Sequence, residues 1–224
     1  MLGPRIEGRG GVSLRPPTLE DQRLYAGWLA RPETTRFWAP RQGNWSEERL
    51  EERFKKSAAD RNSVSWSIAY RAPETGVGEA ETVGFIGLFD IDWVSRDCES
   101  GIFVGRHDLY GRGIATEAVR LRTVFAWEEL RLHRVHNWIA LANRGSRRAN
   151  EKAGYRQIGL LERYGYRSGE WLHDWVGEIF PGPDGPESGR QGALNGAIPE
   201  SGDLLRFARP EKGQRRRESC ARIE

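Results

Sequence analysis

The stretch that decides the fold reads Asp108-Leu109-Tyr110-Gly111-Arg112-Gly113-Ile114-Ala115-Thr116-Glu117-Ala118. Its two glycines allow a tight backbone turn and leave space beside it for a ligand. The helix predicted after Gly113 would point its first-turn amides outward with a partial positive charge, which suits phosphate groups. Because the apolar strand Ile102-Phe103-Val104 precedes the turn, the stretch predicts a strand, a turn and a helix that hold a cofactor with a diphosphate.

Hydrophobic patterning on both sides of this stretch predicts a mixed α/β domain. About seven strands are expected, at 12–15, 64–70, 83–91, 99–104, 135–141, 157–166 and 170–180. Four helices are expected to begin after Thr18, at Ser46, after Gly113 and at Ser146, and Pro32 is expected to end the first of them. The order is therefore β-α-α-β-β-β-α-β-α-β-β, with one strand–helix–strand crossover around the glycine turn.

The composition changes after residue 180. Residues 181–224 contain seven glycines, five prolines and the basic run Arg215-Arg216-Arg217. Such a segment buries too little apolar surface to offset the entropy of ordering it. The sequence therefore predicts one domain over 1–180 and a mostly disordered tail over 181–224.

Overall composition excludes several classes of protein. Net charge is only +3 over 224 residues, with basic and acidic residues mixed, so no nucleic-acid binder is indicated. The two cysteines, Cys98 and Cys220, are far apart and the four histidines lack ligand spacing, so no disulfide framework and no metal site are expected. No apolar run long enough to span a membrane and no signal peptide are found, and we expect a cytoplasmic protein.

Two common phosphate-binding loops fit the glycine turn poorly. A P-loop requires G-x-x-x-x-G-K-[ST], which is absent. A dinucleotide-binding fingerprint requires a third small residue where Thr116 stands, and an acidic residue at the end of the next strand, which leads instead to Asn143.

A third pattern fits at three places in the right order. Residues 10–180 resemble the GCN5-related N-acetyltransferase (GNAT) superfamily, specifically the branch of ribosomal-protein alanine and serine N-acetyltransferases. A family motif like W-G-K-G-Y-A-T-E-A corresponds to 110–118, and the start L-R-P with an acidic-led helix corresponds to Leu14-Arg15-Pro16 and Glu20-Asp21. The motif N-x-x-S-x-x-x-x-E-K-x-G-F is matched by Asn143, Ser146, Glu151, Lys152, Gly154 and Tyr155.

The resemblance implies transfer of an acetyl group from acetyl-CoA to a primary amine, without a metal. The diphosphate of CoA is expected on the turn, at Gly111, Arg112, Gly113, Ile114, Ala115 and Thr116. The pantetheine arm is expected to pair like an added strand with Ile102, Phe103 and Val104, and Gly105 is expected to let this strand splay from its neighbour. Asn143 is expected to bond pantetheine or to act as a turn residue, and Arg148 to meet the 3′-phosphate or solvent.

The resemblance is less informative about catalysis. Glu99 is the preferred general base, the alternative being a surface carboxylate in an ion pair. Ser146 stands where the family has a hydroxyl near the sulfur, and it equally suits the N-cap of the following helix. The tyrosine that serves many members as general acid falls on Asn150. In some ribosomal-protein acetyltransferases the carboxylate comes instead from the late hairpin, at a position that falls near Gly165 here, and Glu162 lies three residues away with the opposite strand parity. Further candidates, which the sequence does not rank, are Asp90, Asp92 and Asp174.

The acceptor is expected to be the N-terminal amine of a protein or a small-molecule amine, bound by a monomer or homodimer. Its pocket would lie between the two N-terminal helices and the late hairpin, with aromatic candidates Phe37, Trp38, Trp45, Tyr164, Tyr166 and Trp171. The rival hypothesis is a regulatory protein of the same fold that binds acetyl-CoA without turnover.

Overall fold

The computed structural model describes residues 1–37, 46–72, 80–167 and 169–182. Eight strands form one mixed sheet in the order β1-β2-β3-β4-β5-β6-β8-β7. The strands are β1 (Ile6–Glu7), β2 (Val12–Arg15), β3 (Val64–Tyr70), β4 (Glu81–Asp92), β5 (Asp97–Val104), β6 (Arg134–Ala140), β7 (Arg156–Arg167) and β8 (Glu170–Ile179). The helices are α1 (Leu19–Leu29), α2 (Pro32–Thr35), α3 (Glu47–Ala59), α4 (Ile114–Glu128) and α5 (Arg144–Lys152).

The predicted mixed α/β class is confirmed, with two short additions. Strand β1 has only two residues, too few to display an alternating pattern. α1 ends at Leu29, before Pro32 as predicted, and Pro32 also opens the single turn α2. Proline is well suited to a first helical position because it has no amide hydrogen to leave unpaired there.

Helix α1 is fixed to the sheet by a buried carboxylate. Thr18 and Asp21 cap each other reciprocally, and Arg15 at the end of β2 forms two hydrogen bonds of 2.7 Å with the Asp21 carboxylate. Ser67 of β3 and Thr82 of β4 also donate to it. Burial by itself would raise the pKa of Asp21, but these hydrogen bonds outweigh it and hold the pKa below its ordinary value.

Helices cover both faces of the sheet. On one face α4 packs on β2, β4 and β5, and Phe125 meets the Trp66 ring edge-on at 5.1 Å between centroids. On the other face Tyr25 of α1 lies against Phe85, which stacks on Phe103. We refer to these as the α4 face and the α1 face.

Among the eight described strands, every pairing is antiparallel except that of β5 with β6, which are joined by the crossover helix α4. Within the described ranges, no helix combines the length and apolarity needed to cross a bilayer.

Apart from its first two residues, the predicted tail lies outside the described residues, so its disorder stays a prediction.

Candidate active site

The sheet opens at its centre. β5 and β6 pair at three positions only, the last being Glu99 opposite His136. Both strands continue beyond this point, to Val104 and Ala140, without further pairing to each other, although each remains paired with its other neighbour. The two facing edges therefore carry backbone amides and carbonyls that a ligand can bind as an added strand would.

Gly105 does not cause this opening, contrary to the expectation from the sequence. The strands separate six positions earlier, and the Gly105 amide still donates to the Val83 carbonyl of β4. A Cβ at this position would lie 2.0 Å from the Trp28 ring. Glycine is required there because the indole of α1 packs directly on the backbone.

The opening forms a cleft that is lined from both faces of the sheet. Because side chains alternate along a strand, Ser100 and Asn137 reach it on the α4 face, where α5 adds Ser146 and Asn150. The α1 face contributes Gly101, Trp138, Ala140 and Asp174, together with Phe37, which lies two residues beyond the end of α2. A molecule in this cleft would contact both faces of the protein.

The glycine turn lies just beyond the end of β5. Gly111 and Gly113 have φ angles of 83° and 82°, and a Cβ on either would meet no atom within 4 Å. Both glycines are thus required by the left-handed backbone rather than by crowding. Gly113 is the N-cap of α4 and has no side chain with which to cap it, so the N-cap leaves the first-turn amides of α4 without a side-chain partner.

Neighbouring side chains hold the turn against β5 and β4. Arg106 bonds Asp108 within the turn and Glu81 of β4, and this pairing raises the pKa of the Arg106 guanidinium. The Tyr110 hydroxyl donates to the Val104 carbonyl over 3.0 Å. The end of the unpaired strand and the start of α4 are therefore connected directly.

Asn143 is the N-cap of α5, with its side-chain oxygen accepting the Ser146 amide over 3.2 Å. The alternative role of Ser146 as N-cap is therefore wrong, because the helix begins two residues earlier than expected. Ser146 is the third residue of α5 and lines the cleft, where its hydroxyl makes no hydrogen bond within the described residues. Arg148 is exposed on the same helix.

Asn150, at the position of the family's tyrosine, is completely buried beside the cleft. Its amide nitrogen donates to the Ser146 carbonyl, and its oxygen accepts from the Asn137 amide over 2.8 Å. The Asn137 side-chain oxygen is buried and has no hydrogen-bond partner in the described part of the chain. The chain of amides thus ends on an acceptor that a ligand N–H could satisfy.

The structure separates the candidate carboxylates. Glu99 is half-buried at the point where the strands part, although it is not among the cleft-lining residues. Asp174 lines the cleft and is 2% exposed, whereas Asp90, Asp92 and Glu162 are exposed elsewhere.

A group of charges closes the base of the opening on the α1 face. Asp97 lies 2.9 Å from His136 and 3.2 Å from Arg134, and Arg134 also bonds Glu178 of β8. Burial would raise the pKa of Asp97, but the His136 hydrogen bond and the nearby charges bring it below its ordinary value. Cys98, the remaining reactive group here, faces the core, and burial raises the pKa of its thiol to about 12. Within the described ranges, no three metal-ligating side chains converge.

The described residues include only part of the predicted aromatic pocket. Phe37 lines the cleft, whereas Trp38 and Trp45 lie outside the described residues. Tyr166 and Trp171 contact each other across the late hairpin at 5.2 Å and are largely exposed. Tyr164 is half-buried on the same hairpin.

Sequence reasoning missed Ser100 and the importance of Asn137. A signal for both was present in the sequence. Each is a polar residue at a position that faces the core, on a strand whose other core-facing residues are apolar. Such a position is unfavourable unless a partner satisfies the side chain. It also missed Arg122, which lies fully buried in α4 behind the cleft.

Comparisons with known proteins agree with this geometry. Residues 12–156 match the sequence model of the family described as "Acetyltransferase (GNAT) domain". The chain is 26% identical over 171 residues to the "Putative ribosomal N-acetyltransferase YdaF" of Bacillus subtilis strain 168, covering 76% of this chain and 85% of that protein. It is 34% identical over 101 residues to the "Probable N-acetyltransferase YjcK" of the same organism, covering 43% and 55%.

Solved structures share the fold. The spermidine N-acetyltransferase of Vibrio cholerae, in complex with CoA and spermine, superposes with a TM-score of 0.66 at 19% identity, covering 76% of this chain and 95% of that one. A GNAT-family acetyltransferase of Bacillus anthracis gives a TM-score of 0.64 at 19% identity, covering 79% and 98%. The resemblance predicted from the three motifs is confirmed, and the chain belongs to the GNAT family of acetyl-CoA-dependent N-acetyltransferases.

Proposed function

We propose that this protein transfers the acetyl group of acetyl-CoA directly to a primary amine, on a protein N-terminus or a small molecule. The observation that carries the proposal is the parting of β5 and β6 after Glu99, with the glycine turn at the far end of the same strand. One extended ligand with a diphosphate at one end and an amide-containing arm at the other would fit both features.

The diphosphate would bind the backbone of 111–116, where the N-cap Gly113 supplies no side chain to the first-turn amides of α4. The pantetheine arm would run along Ile102, Phe103 and Val104, on the edge of β5 that β6 leaves unpaired. Asn143 caps α5 with its oxygen and retains its amide hydrogens for the arm. Arg148 is exposed and would meet the 3′-phosphate in solvent, where a surface charge contributes little affinity.

The amine would approach from the α1 face and must lose a proton before it can attack, since an ammonium has no lone pair. We assign the role of accepting this proton to Glu99, at the start of the opening. Glu99 would take the proton directly or through a water molecule. Asp174 is the alternative because it is the carboxylate that lines the described cleft. Ser146 would hydrogen-bond the departing sulfur from α5.

Transfer would be direct rather than through an acyl-enzyme. Among the residues that line the described cleft there is no cysteine and no histidine that could activate a serine hydroxyl. Cys98, which is close in sequence, is directed into the core. A thiol with a pKa of about 12 supplies almost no thiolate at neutral pH.

Calorimetry with acetyl-CoA, followed by release of free thiol against a panel of peptides and amines, tests the proposal. Gly113→Val should abolish acetyl-CoA binding because its φ of 82° strains any side chain. Gly169→Val is the matched control, since Gly169 has a φ of 86° and open space around it but lies in the turn between β7 and β8. Tight binding with no thiol release from any amine would favour the regulatory hypothesis, and no binding would refute both.

A further inference from the structure

A buried cation lies behind the cleft. Arg122 of α4 is 0% exposed, and no carboxylate lies within salt-bridge distance of it in the described ranges. Its guanidinium donates to the Tyr155 hydroxyl over 2.9 Å and to the Gly101 carbonyl over 3.3 Å, while its Nε has no hydrogen-bond partner. Burying a charge without a counter-ion is costly, so a function for this charge is to be expected.

Tyr155 connects this cation to the cleft. Its hydroxyl lies 3.2 Å from the Ser100 hydroxyl, and both residues are at most 4% exposed. Ser100 lines the cleft next to Glu99, at the point where β5 and β6 separate.

The direction of the hydrogen bonds along this chain is fixed by chemistry. A guanidinium only donates, so the Tyr155 oxygen accepts from Arg122. The one phenolic proton then goes to Ser100, because the phenol is buried and Ser100 is its remaining neighbour. Ser100 therefore keeps its own proton for a group in the cleft, and the charge behind the chain polarises that O–H bond.

We propose that Ser100 donates a hydrogen bond to the acyl oxygen of the bound thioester and stabilises the negative charge that develops there. Ser100 is thus a further catalytic residue, and Tyr155 and Arg122 are positioning residues behind it. The inference rests on the acetyl transfer proposed above and adds a residue to it.

The chemical step balances without another reactant. The amine nitrogen forms a bond to the carbonyl carbon, and the C=O π electrons move to the oxygen, which accepts the Ser100 hydrogen bond. The carbonyl then re-forms, the C–S bond breaks with its electron pair on sulfur, and the proton lost by nitrogen leaves through the base. The thiolate is finally protonated from solvent.

A hydrogen-bond donor stabilises the developing oxyanion more than it stabilises the departing sulfur. A tetrahedral oxyanion has the basicity of an alkoxide, whereas a thiol of pKa near 8.5 leaves readily as its thiolate at about neutral pH. Hydroxyl hydrogen bonds to an oxyanion are also short and strong. A fixed donor in a water-excluded site therefore lowers the barrier mainly at the addition step.

Two variants and one control test this role in the full-length enzyme. Ser100→Ala should lower kcat with acetyl-CoA about 100-fold, the usual effect of losing an oxyanion donor, with unchanged acetyl-CoA affinity by calorimetry. Tyr155→Phe should lower kcat about tenfold alone and much less when added to Ser100→Ala, because the two residues act as a unit. Ser63→Ala is the control, since Ser63 is a buried serine whose hydroxyl donates one hydrogen bond, to Asp60 at the end of α3, and it does not line the cleft.

Substrate analogues identify the atom that Ser100 serves. Replacing the acyl oxygen of acetyl-CoA by sulfur gives a dithioester, whose thiocarbonyl sulfur is a weak hydrogen-bond acceptor. The preference of the wild type for acetyl-CoA over this dithioester should therefore largely disappear in Ser100→Ala. Equal preference in both enzymes would overturn the proposal, as would selective rescue of Ser100→Ala by a selenoester with a better leaving group. If the wild type itself releases no thiol, the proposed function has failed rather than this assignment.

Discussion

Glu99 and His136 form the last parallel pair between β5 and β6, and the cleft begins at the next residue of each strand. The base of the opening is closed on the α1 face by ion pairs that join Asp97, Arg134 and Glu178 across three strands. The opening is therefore held at one end by hydrogen bonds and charges, and left unpaired at the other end where a ligand can enter.

Glu99→Gln should lower kcat/KM by about 100-fold near neutral pH, the lower end of what general-base catalysis contributes. The loss should shrink as pH rises, because an amine that is already neutral no longer needs a base. Asp174→Asn is the matched comparison, and profiles of kcat/KM against pH distinguish the two carboxylates. If only Asp174→Asn lowers kcat/KM, and by the same factor at every pH, then Glu99 is not the base and Asp174 has a positioning role only.

The sequence predicts the fold of this protein better than it predicts the geometry of the site. The glycine turn and the capping residues act locally, so 110–116 and Thr18 could be read directly from the chain. The cleft depends on where two strands cease to pair, and the three-residue parallel pairing of β5 with β6 leaves no mark on either strand's own pattern.

The same limit explains the errors at single residues. Asn143 and Ser146 both suit an N-cap, and the choice depends on a helix start that the sequence fixes only to within a few residues. Arg122 lies on a helix in which charged residues are ordinary, and its burial follows from the packing of α4 on β5 and Tyr155.

Removing the tail after Gly182 should leave both acetyl-CoA affinity and thermal stability unchanged. β8 ends at Ile179, and Phe180 contacts His133 and Arg156, so the truncated chain keeps every described contact of the domain. Calorimetry and a melting curve on the chain 1–182 measure this. A tenfold loss of affinity would mean that part of 183–224 belongs to the CoA site.

Cys98→Ala should retain kcat to within a factor of about two, because direct transfer requires no thiolate and the pKa of this thiol is raised to about 12 by burial. Alkylation of Cys98 by iodoacetamide at pH 7 should be slow until the protein is unfolded. The labelling is best done in a Cys220→Ser background, so that the second cysteine does not contribute. Loss of turnover in Cys98→Ala without loss of folding would instead support an acyl-enzyme.

Asp21 should set the acid limit of stability. Its pKa is lowered on folding, so the ionised carboxylate stabilises the native state above the ordinary aspartate pKa of about 3.9, and this contribution disappears as pH falls through the lower folded value. Asp21→Asn should cost about 2–3 kcal/mol at pH 7, less than breaking a fully buried pair because Arg15 is partly exposed.

In the same variant, the free energy of unfolding should also fall less steeply below pH 4, because asparagine has no carboxylate that could be protonated. Urea unfolding at several pH values measures both effects, with Glu20→Gln as the exposed neighbouring control. Equal acid sensitivity in Asp21→Asn and the wild type would assign the acid limit to another carboxylate, for which Asp97 is the next candidate because its pKa is lowered in the same direction.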